Sequence, residues 1–172
     1  MRVHIVSNDS TVFLKDQGDV SEIFGGRYTE VRNFCKRASL RYEIKISIIT
    51  GEYGLLTSPH RISRYEKITD SKEEYVKLER KFCYSKKIFE ESKSVDVLIL
   101  FVPKDMTKII LQQGNNDCKL ITVTNYIPKY KESNQTGILS KEKELELEGK
   151  MKKLFLKFFR ISNQVIANTA SS

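Results

Sequence analysis

The residues of this chain best suited to chemistry are Glu52 and Tyr53, which lie between Gly51 and Gly54 directly after an apolar run. Glycines at these positions allow the backbone to turn sharply and to approach a ligand closely. Tyr53 could stack on a flat group such as a nucleobase, and Glu52 could accept hydrogen bonds from it. A tight strand-exit turn in which Tyr53 packs on the following loop is the alternative, and such glycine turns are common.

A basic loop follows this turn. It contains Arg61, Arg64 and Lys67, with Tyr65 between the last two. The cationic side chains could contact phosphate groups while the tyrosine packs or stacks on a base. A solvated loop that covers the edge of a sheet explains the same residues equally well.

Four short runs rich in Ile and Val predict the strands that must position these residues. They cover residues 3–6, 44–49, 95–102 and 119–124. Helical patterns cover about residues 27–42, 70–92, 105–112 and 140–168. The alternation predicts a single α/β domain over residues 1–172, built as a three-layer, open, mainly parallel sheet of about four strands with helices on both faces.

Polar residues follow each predicted strand. In open parallel sheets, ligands bind beyond the carboxyl ends of the strands, so we expect these residues to form the ligand site. They are Ser7, Asn8, Thr50, Gly51, Tyr53, Gly54, Lys104 and Asn125. Asp9 and Glu52 are the carboxylates at the same edge, and they are the candidates for a general base.

The composition favours an anionic partner. The net charge is +8 and the pI is about 9.3, which suits nucleic acid or a nucleotide, although a lysine-rich surface alone produces the same values. With three cysteines, two histidines and no CxxC spacing, the sequence predicts no metal site. No nucleotide-binding loop of the Walker or GxGxxG type is present in the sequence, so we expect no cofactor.

The apolar runs of this sequence are all strand-sized. A membrane-spanning helix needs about 20 apolar residues, and the longest run here, residues 95–102, falls well short of that length. The first residues read as a strand and lack the pattern of a signal peptide. The sequence therefore predicts a cytoplasmic protein with no membrane partner.

Residues 48–56 read IITGEYGLL, and Ile62 and Tyr65 follow. This pattern resembles the peroxide-stress YaaA-like proteins and a related set of small α/β domains of unassigned function. A looser likeness extends to the middle domain of archaeosine synthase, which is similar in layout to uracil-DNA glycosylases. The likeness covers about residues 3–110. Relatives commonly place Cys-Ser-x-x-Lys after the first strand, whereas this chain has Ser-Asn-Asp-Ser at residues 7–10.

These observations support a nucleic-acid- or nucleotide-associated protein with its ligand site at the carboxyl edge of the sheet. An enzyme acting on a nucleobase or nucleoside is the alternative, with Glu52 or Asp9 as general base in glycosidic-bond chemistry. A third hypothesis is a non-catalytic interaction protein whose site is vestigial.

Overall fold

The computed structural model describes residues 1–66, 69–114 and 118–123, all within a compact unit, Met1–Pro128. The strands are β1 (Arg2–Asn8), β2 (Gln17–Asp19), β3 (Glu43–Thr50), β4 (Gly54–Thr57), β5 (Arg61–Ser63), β6 (Val97–Phe101) and β7 (Lys119–Thr122). The helices are α1 (Tyr28–Ser39), α2 (Lys72–Phe82), α3 (Tyr84–Ser92) and α4 (Lys104–Leu111). The helix predicted at residues 140–168 lies outside the described residues, as do Lys67 and Asn125.

The main sheet has five strands in the order β4-β3-β1-β6-β7. β1 pairs in parallel with both β3 and β6, and β7 pairs in parallel with β6. β6 is apolar and buried along its whole length, as is typical of a central strand in a parallel sheet. The predicted α/β class and the mainly parallel sheet are confirmed, and the four predicted strands correspond to β1, β3, β6 and β7.

The prediction missed β4, which pairs antiparallel to β3 across a tight turn. Thr50 lies opposite Gly54 in this pairing, so only residues 51–53 form the connection. Gly54 has a φ of 73°, a conformation that glycine adopts without strain. The sequence pattern predicts no strand here because β4 is only four residues long.

A second, two-stranded sheet pairs β2 with β5 in antiparallel orientation. The Asp19 carboxylate stabilises the chain beside it: Oδ1 accepts from the Ser58 hydroxyl at 2.8 Å, and Oδ2 accepts from the His60 backbone N–H at 2.7 Å. This small sheet holds the basic loop that starts at Arg61.

Helix α1 buries one side of its length, as its spacing of apolar residues predicts. The pattern at residues 70–92 forms two helices, so the expectation of one continuous helix is wrong. The chain breaks at Cys83, which adopts the left-handed conformation with φ 51°. Glu79 supports the break because its carboxylate accepts a hydrogen bond from the backbone N–H of Ser85, at the start of α3, at 2.9 Å.

The core between the sheet and helices α2, α3 and α4 is apolar. Its members are Val6, Ile49, Leu55, Tyr75, Leu78, Tyr84, Ile88, Leu98, Leu100, Val102, Met106 and Ile110. His4 is buried in the sheet, and its Nε2 lies 2.8 Å from the Ser47 hydroxyl. No helix in the described part of the chain is long and apolar enough to cross a membrane.

Candidate functional site

The strand order places β1 where ligands bind in open α/β sheets. From β1 the chain passes through α1 to β3 on one side, and it later returns to β6 on the other side of β1. A crevice forms at the carboxyl ends of strands where the connections diverge in this way. The residue that directly follows β1 is Asp9.

Asp9 is fully buried and fixed through its backbone. Its N–H donates to the carbonyl of Ile49 at 3.0 Å, which extends the pairing with β3. Its carbonyl accepts a hydrogen bond from Arg27 Nη2 at 2.6 Å. Arg27 precedes α1, so the start of that helix and the end of β1 are held together at the carboxyl edge.

The two oxygens of the Asp9 carboxyl have different surroundings. Oδ2 accepts from the backbone N–H of Gly51 at 2.8 Å and from the hydroxyl of Tyr65 at 2.5 Å. Oδ1 is buried and has no hydrogen-bond partner among the described residues. Burial raises the pKa of Asp9 to about 6, although the bonds from Tyr65 and Gly51 oppose the shift. A carboxyl that titrates near neutral pH can take up or release a proton during a reaction.

The glycine turn between β3 and β4 is fixed by Thr50. The Thr50 hydroxyl donates to the carbonyl of Gly54 at 2.9 Å and accepts from the N–H of Tyr53 at 3.0 Å. A side chain on Gly54 would come within 2.6 Å of Phe82 Cγ, so the close packing of α2 on this turn requires glycine. The turn therefore has a defined shape that presents Tyr53 outward.

Aromatic rings connect this turn to the interior. Tyr53, which is 41% exposed, meets Tyr65 edge-on with ring centroids 5.6 Å apart. Tyr65 in turn meets Phe13 at 5.1 Å, and Phe13 packs on the buried Phe24 at 5.0 Å. The outermost ring is thus exposed while its neighbour donates a hydrogen bond to Asp9. This arrangement offers a supported surface on which a flat group can stack.

The predicted ligand residues have different environments. Asp9, Thr50, Gly51, Tyr53 and Gly54 are brought together by the contacts described above. Glu52 belongs to the same turn, but its side chain is exposed, in contrast to that of Asp9.

Ser7 and Asn8 of β1 lie at the same edge, as does Lys104, the first residue of α4. The Ser7 hydroxyl donates to the carbonyl of Asn8 at 3.2 Å. Asn8 is buried, and its Nδ2 has no hydrogen-bond partner among the described residues. Ser7 pairs with Phe101, so the chain of β6 reaches the exposed Lys104 a few residues beyond that pair.

Two cations of the basic loop, Arg61 and Arg64, are exposed. The Arg64 guanidinium lies 5.7 Å from the centre of the Phe13 ring. Arg61 Nη2 donates to Gln17 Oε1 at 3.5 Å, across the two-stranded sheet. The Arg64 guanidinium can therefore contact an anion that approaches the aromatic rings, and Arg61 adds positive charge on the same loop.

Sequence reasoning missed the roles of Arg27 and Phe13, and it assigned Tyr65 only to packing or stacking. The bond between Tyr65 and Asp9 joins residues 56 positions apart, so no local pattern could reveal it. The usable signal was the spacing of Tyr65 after the glycine turn. The part of the chain that the structure describes contains no group of three His, Cys, Asp or Glu side chains that could hold a metal ion.

No protein-family model matches this chain, and neither a curated protein nor a solved structure shows significant similarity to it.

Proposed function

We propose that the carboxyl edge of the sheet binds a nucleobase-containing ligand, either a nucleotide or a nucleic-acid strand. The observation that carries this proposal is the exposed ring of Tyr53, which rests on Tyr65 while Tyr65 donates a hydrogen bond to the buried Asp9. The base stacks on Tyr53, and its edge is directed toward the carboxyl. The expected three-layer arrangement, with helices on both faces, would leave this edge of the sheet open.

Stacking on Tyr53 suits a base because every nucleobase has a flat, apolar face. The ring is held on one side by Tyr65, so little side-chain freedom remains to be lost when a ligand binds. The Thr50 hydroxyl also fixes the backbone of Tyr53. The turn is therefore organised before the ligand arrives.

Arg61 and Arg64 supply the phosphate contacts. Both are exposed on the loop that includes β5, and Arg64 lies against Phe13 of the aromatic group. Arginine suits phosphate because its planar guanidinium can donate two parallel hydrogen bonds. The net charge of +8 adds a general attraction for polyanions.

Substitution of Tyr53 tests the proposal. Fluorescence anisotropy would measure binding of labelled single-stranded RNA and DNA of mixed sequence at low salt. We expect Tyr53→Ala to weaken binding about tenfold, because a stacked base contributes about 1–3 kcal/mol. Tyr53→Phe is the matched control, since it keeps the ring, and it should bind like the wild type. Absence of wild-type binding to both strands and to mononucleotides would overturn the proposal.

An enzyme acting on a nucleobase or nucleoside is the second candidate. The unpaired Oδ1 of Asp9 and its pKa of about 6 favour it. In hydrolysis of a glycosidic bond, Asp9 would accept a proton from the attacking water as the new C–O bond forms and the base departs with the bonding electrons. Glu52, which is exposed, lacks this environment.

Chromatography of nucleosides and oligonucleotides incubated with the protein would detect a released base. The rate should rise with pH through about 6, as Asp9 loses its proton. Asp9→Asn should abolish release. A base released equally by wild type and variant would exclude Asp9 as the general base.

A further inference from the structure

The Asp9 carboxyl has one occupied oxygen and one oxygen without a partner. Oδ2 receives the Gly51 N–H and the Tyr65 hydroxyl, which together fix the orientation of the group. Oδ1 is buried and receives no hydrogen bond from the described residues. A buried acceptor without a donor costs free energy, and a ligand that supplies one donor removes that cost.

We propose that Oδ1 of Asp9 accepts a single ring N–H from the bound base, so that the site selects a lactam or imide edge. Uracil, thymine, guanine and hypoxanthine present such an edge. The inference rests on the proposed function, because it assigns a specificity to the same site.

The number of hydrogens decides between the possible donors. Only Oδ1 of Asp9 lacks a hydrogen-bond partner among the described residues, and the carboxylate can accept one donor there in addition to the bonds from Gly51 and Tyr65. A ring N–H brings one hydrogen. An exocyclic amino group brings two, so the second would be buried without an acceptor unless another group moved. A bare ring nitrogen brings a lone pair toward an anionic oxygen and is repelled.

The charges around Asp9 determine how binding responds to pH. Arg27 favours the charged form of Asp9 and also donates to its backbone carbonyl. Tyr75 faces the same region from α2: burial raises its pKa, Arg27 opposes the rise, and the carboxylates Asp70, Asp9 and Asp105 add to it. Burial outweighs the favourable contacts, so the pKa of Asp9 rises to about 6. A donor on Oδ1 stabilises the anion, so binding promotes release of its proton.

Asp9 is 0% exposed, so a ligand contacts Oδ1 only after the residues that cover it move aside. The opening consumes part of the binding energy, and we expect modest affinity for a mononucleotide. The opening does not alter the comparison between two ligands that differ only by a methyl group on the ring nitrogen.

Isothermal titration calorimetry with matched nucleotides tests the inference. The probes are UMP with 3-methyl-UMP, and GMP with 1-methyl-GMP. We expect methylation to weaken binding about tenfold or more in at least one pair, because it leaves Oδ1 without its donor. AMP and CMP, which lack a ring N–H at this edge, should bind as weakly as the methylated forms.

Asp9→Asn is the informative variant. The amide oxygen must face Gly51 and Tyr65, both of which are donors, so the NH₂ group occupies the position of Oδ1. The variant then offers a donor instead of an acceptor, and the preference for the unmethylated nucleotide should disappear. Wild-type affinity for that nucleotide should fall about tenfold between pH 7 and pH 5, as Asp9 becomes protonated, whereas the variant should show no such change.

Tyr65→Phe provides a second test if the Asp9 variant fails to fold. The Tyr65 hydroxyl lowers the pKa of Asp9, so its removal should shift the midpoint of the pH dependence upward. An unchanged midpoint would overturn the inference. So would tight binding of AMP or CMP with no effect of methylation, although the proposed function would then stand. If none of the six nucleotides and no oligonucleotide binds, the proposed function fails together with the inference.

Discussion

Asp9 is costly to ionise, and this cost has a measurable consequence for folding. Its folded pKa of about 6 lies above the ordinary value of 3.8. The stability that protonated Asp9 contributes is therefore fully present below pH 3.8 and is lost as the pH rises through about 6. The shift corresponds to about 2–3 kcal/mol at neutral pH.

Asp9→Asn should therefore raise the free energy of unfolding at pH 8 by about 1–2 kcal/mol, since weaker neutral hydrogen bonds offset part of the gain. Urea denaturation from pH 4 to pH 8 would measure the effect. The difference between variant and wild type should grow mainly between pH 4 and pH 7. A variant that is less stable than the wild type at pH 8 would show that the carboxylate stabilises the fold. A residue that costs stability while occupying the candidate site is typical of a functional group.

His4 has the opposite influence, so the comparison must use the difference between the two proteins. Burial lowers the pKa of His4 from 6.5 to about 3. The stability that neutral His4 contributes to the fold is present above pH 6.5 and is lost as the pH falls toward 3. Both proteins contain His4, and the subtraction removes its effect.

For single residues, the sequence predicted their position at the carboxyl edge of the sheet but not their burial or their hydrogen bonds. Asp9, Thr50 and Tyr53 were assigned to the carboxyl edge because polar residues follow strands there. The burial of Asp9 and its bond to Tyr65 depend on chain segments far apart in sequence. The exposure of Glu52 also depends on tertiary contacts. The sequence pattern alone therefore made Glu52 and Asp9 equal candidates for a general base.

Among the elements, the turn between β3 and β4 depends most on a single residue. Gly54→Ala places a Cβ at a φ of 73° and within 2.6 Å of Phe82 Cγ. We expect a loss of about 2–4 kcal/mol in the free energy of unfolding, from backbone strain and from overpacking. Chemical denaturation would measure the loss, and nucleotide binding should weaken with it because the turn presents Tyr53.

Gly114→Ala is the matched control for this change. Gly114 also has a positive φ, of 98°, but a Cβ there meets nothing within 4 Å. The loss in free energy of unfolding for Gly114→Ala should therefore reflect backbone strain alone, without overpacking. Equal losses in the two variants would mean that the contact with Phe82 is relieved without cost.

The elements were predicted well where a periodic pattern ran over many residues, as in α1 and β6. The break at Cys83 was missed because cysteine is not a residue typical of the left-handed conformation. The contact that supports this break comes from Glu79, which the helical pattern alone places on an ordinary helix surface. Strand β4 was missed because four residues carry too short a pattern.

At the scale of the whole molecule, the positive charge raises the question of where a nucleic acid would bind. The net charge of +8 attracts a polyanion from any direction, so charge alone does not identify the interface. The geometry of the site favours one surface, that of the basic loop. Arg64 lies against Phe13 of the aromatic group and Arg61 precedes it on the same loop, whereas Lys36 and Arg37 lie in the last turn of α1. That helix starts near Asp9 and runs away from the carboxyl edge.

Two double variants with the same loss of charge separate general attraction from a defined interface. For a single strand, each phosphate contact adds about 0.7 to the slope of the logarithm of the binding constant against the logarithm of salt concentration. Arg61→Gln with Arg64→Gln should therefore lower the slope by about 1.4 when measured from about 50 to about 200 mM salt. Lys36→Gln with Arg37→Gln should leave the slope close to that of the wild type. Equal reductions would mean that the charge acts as a diffuse field and that the basic loop makes no direct phosphate contact.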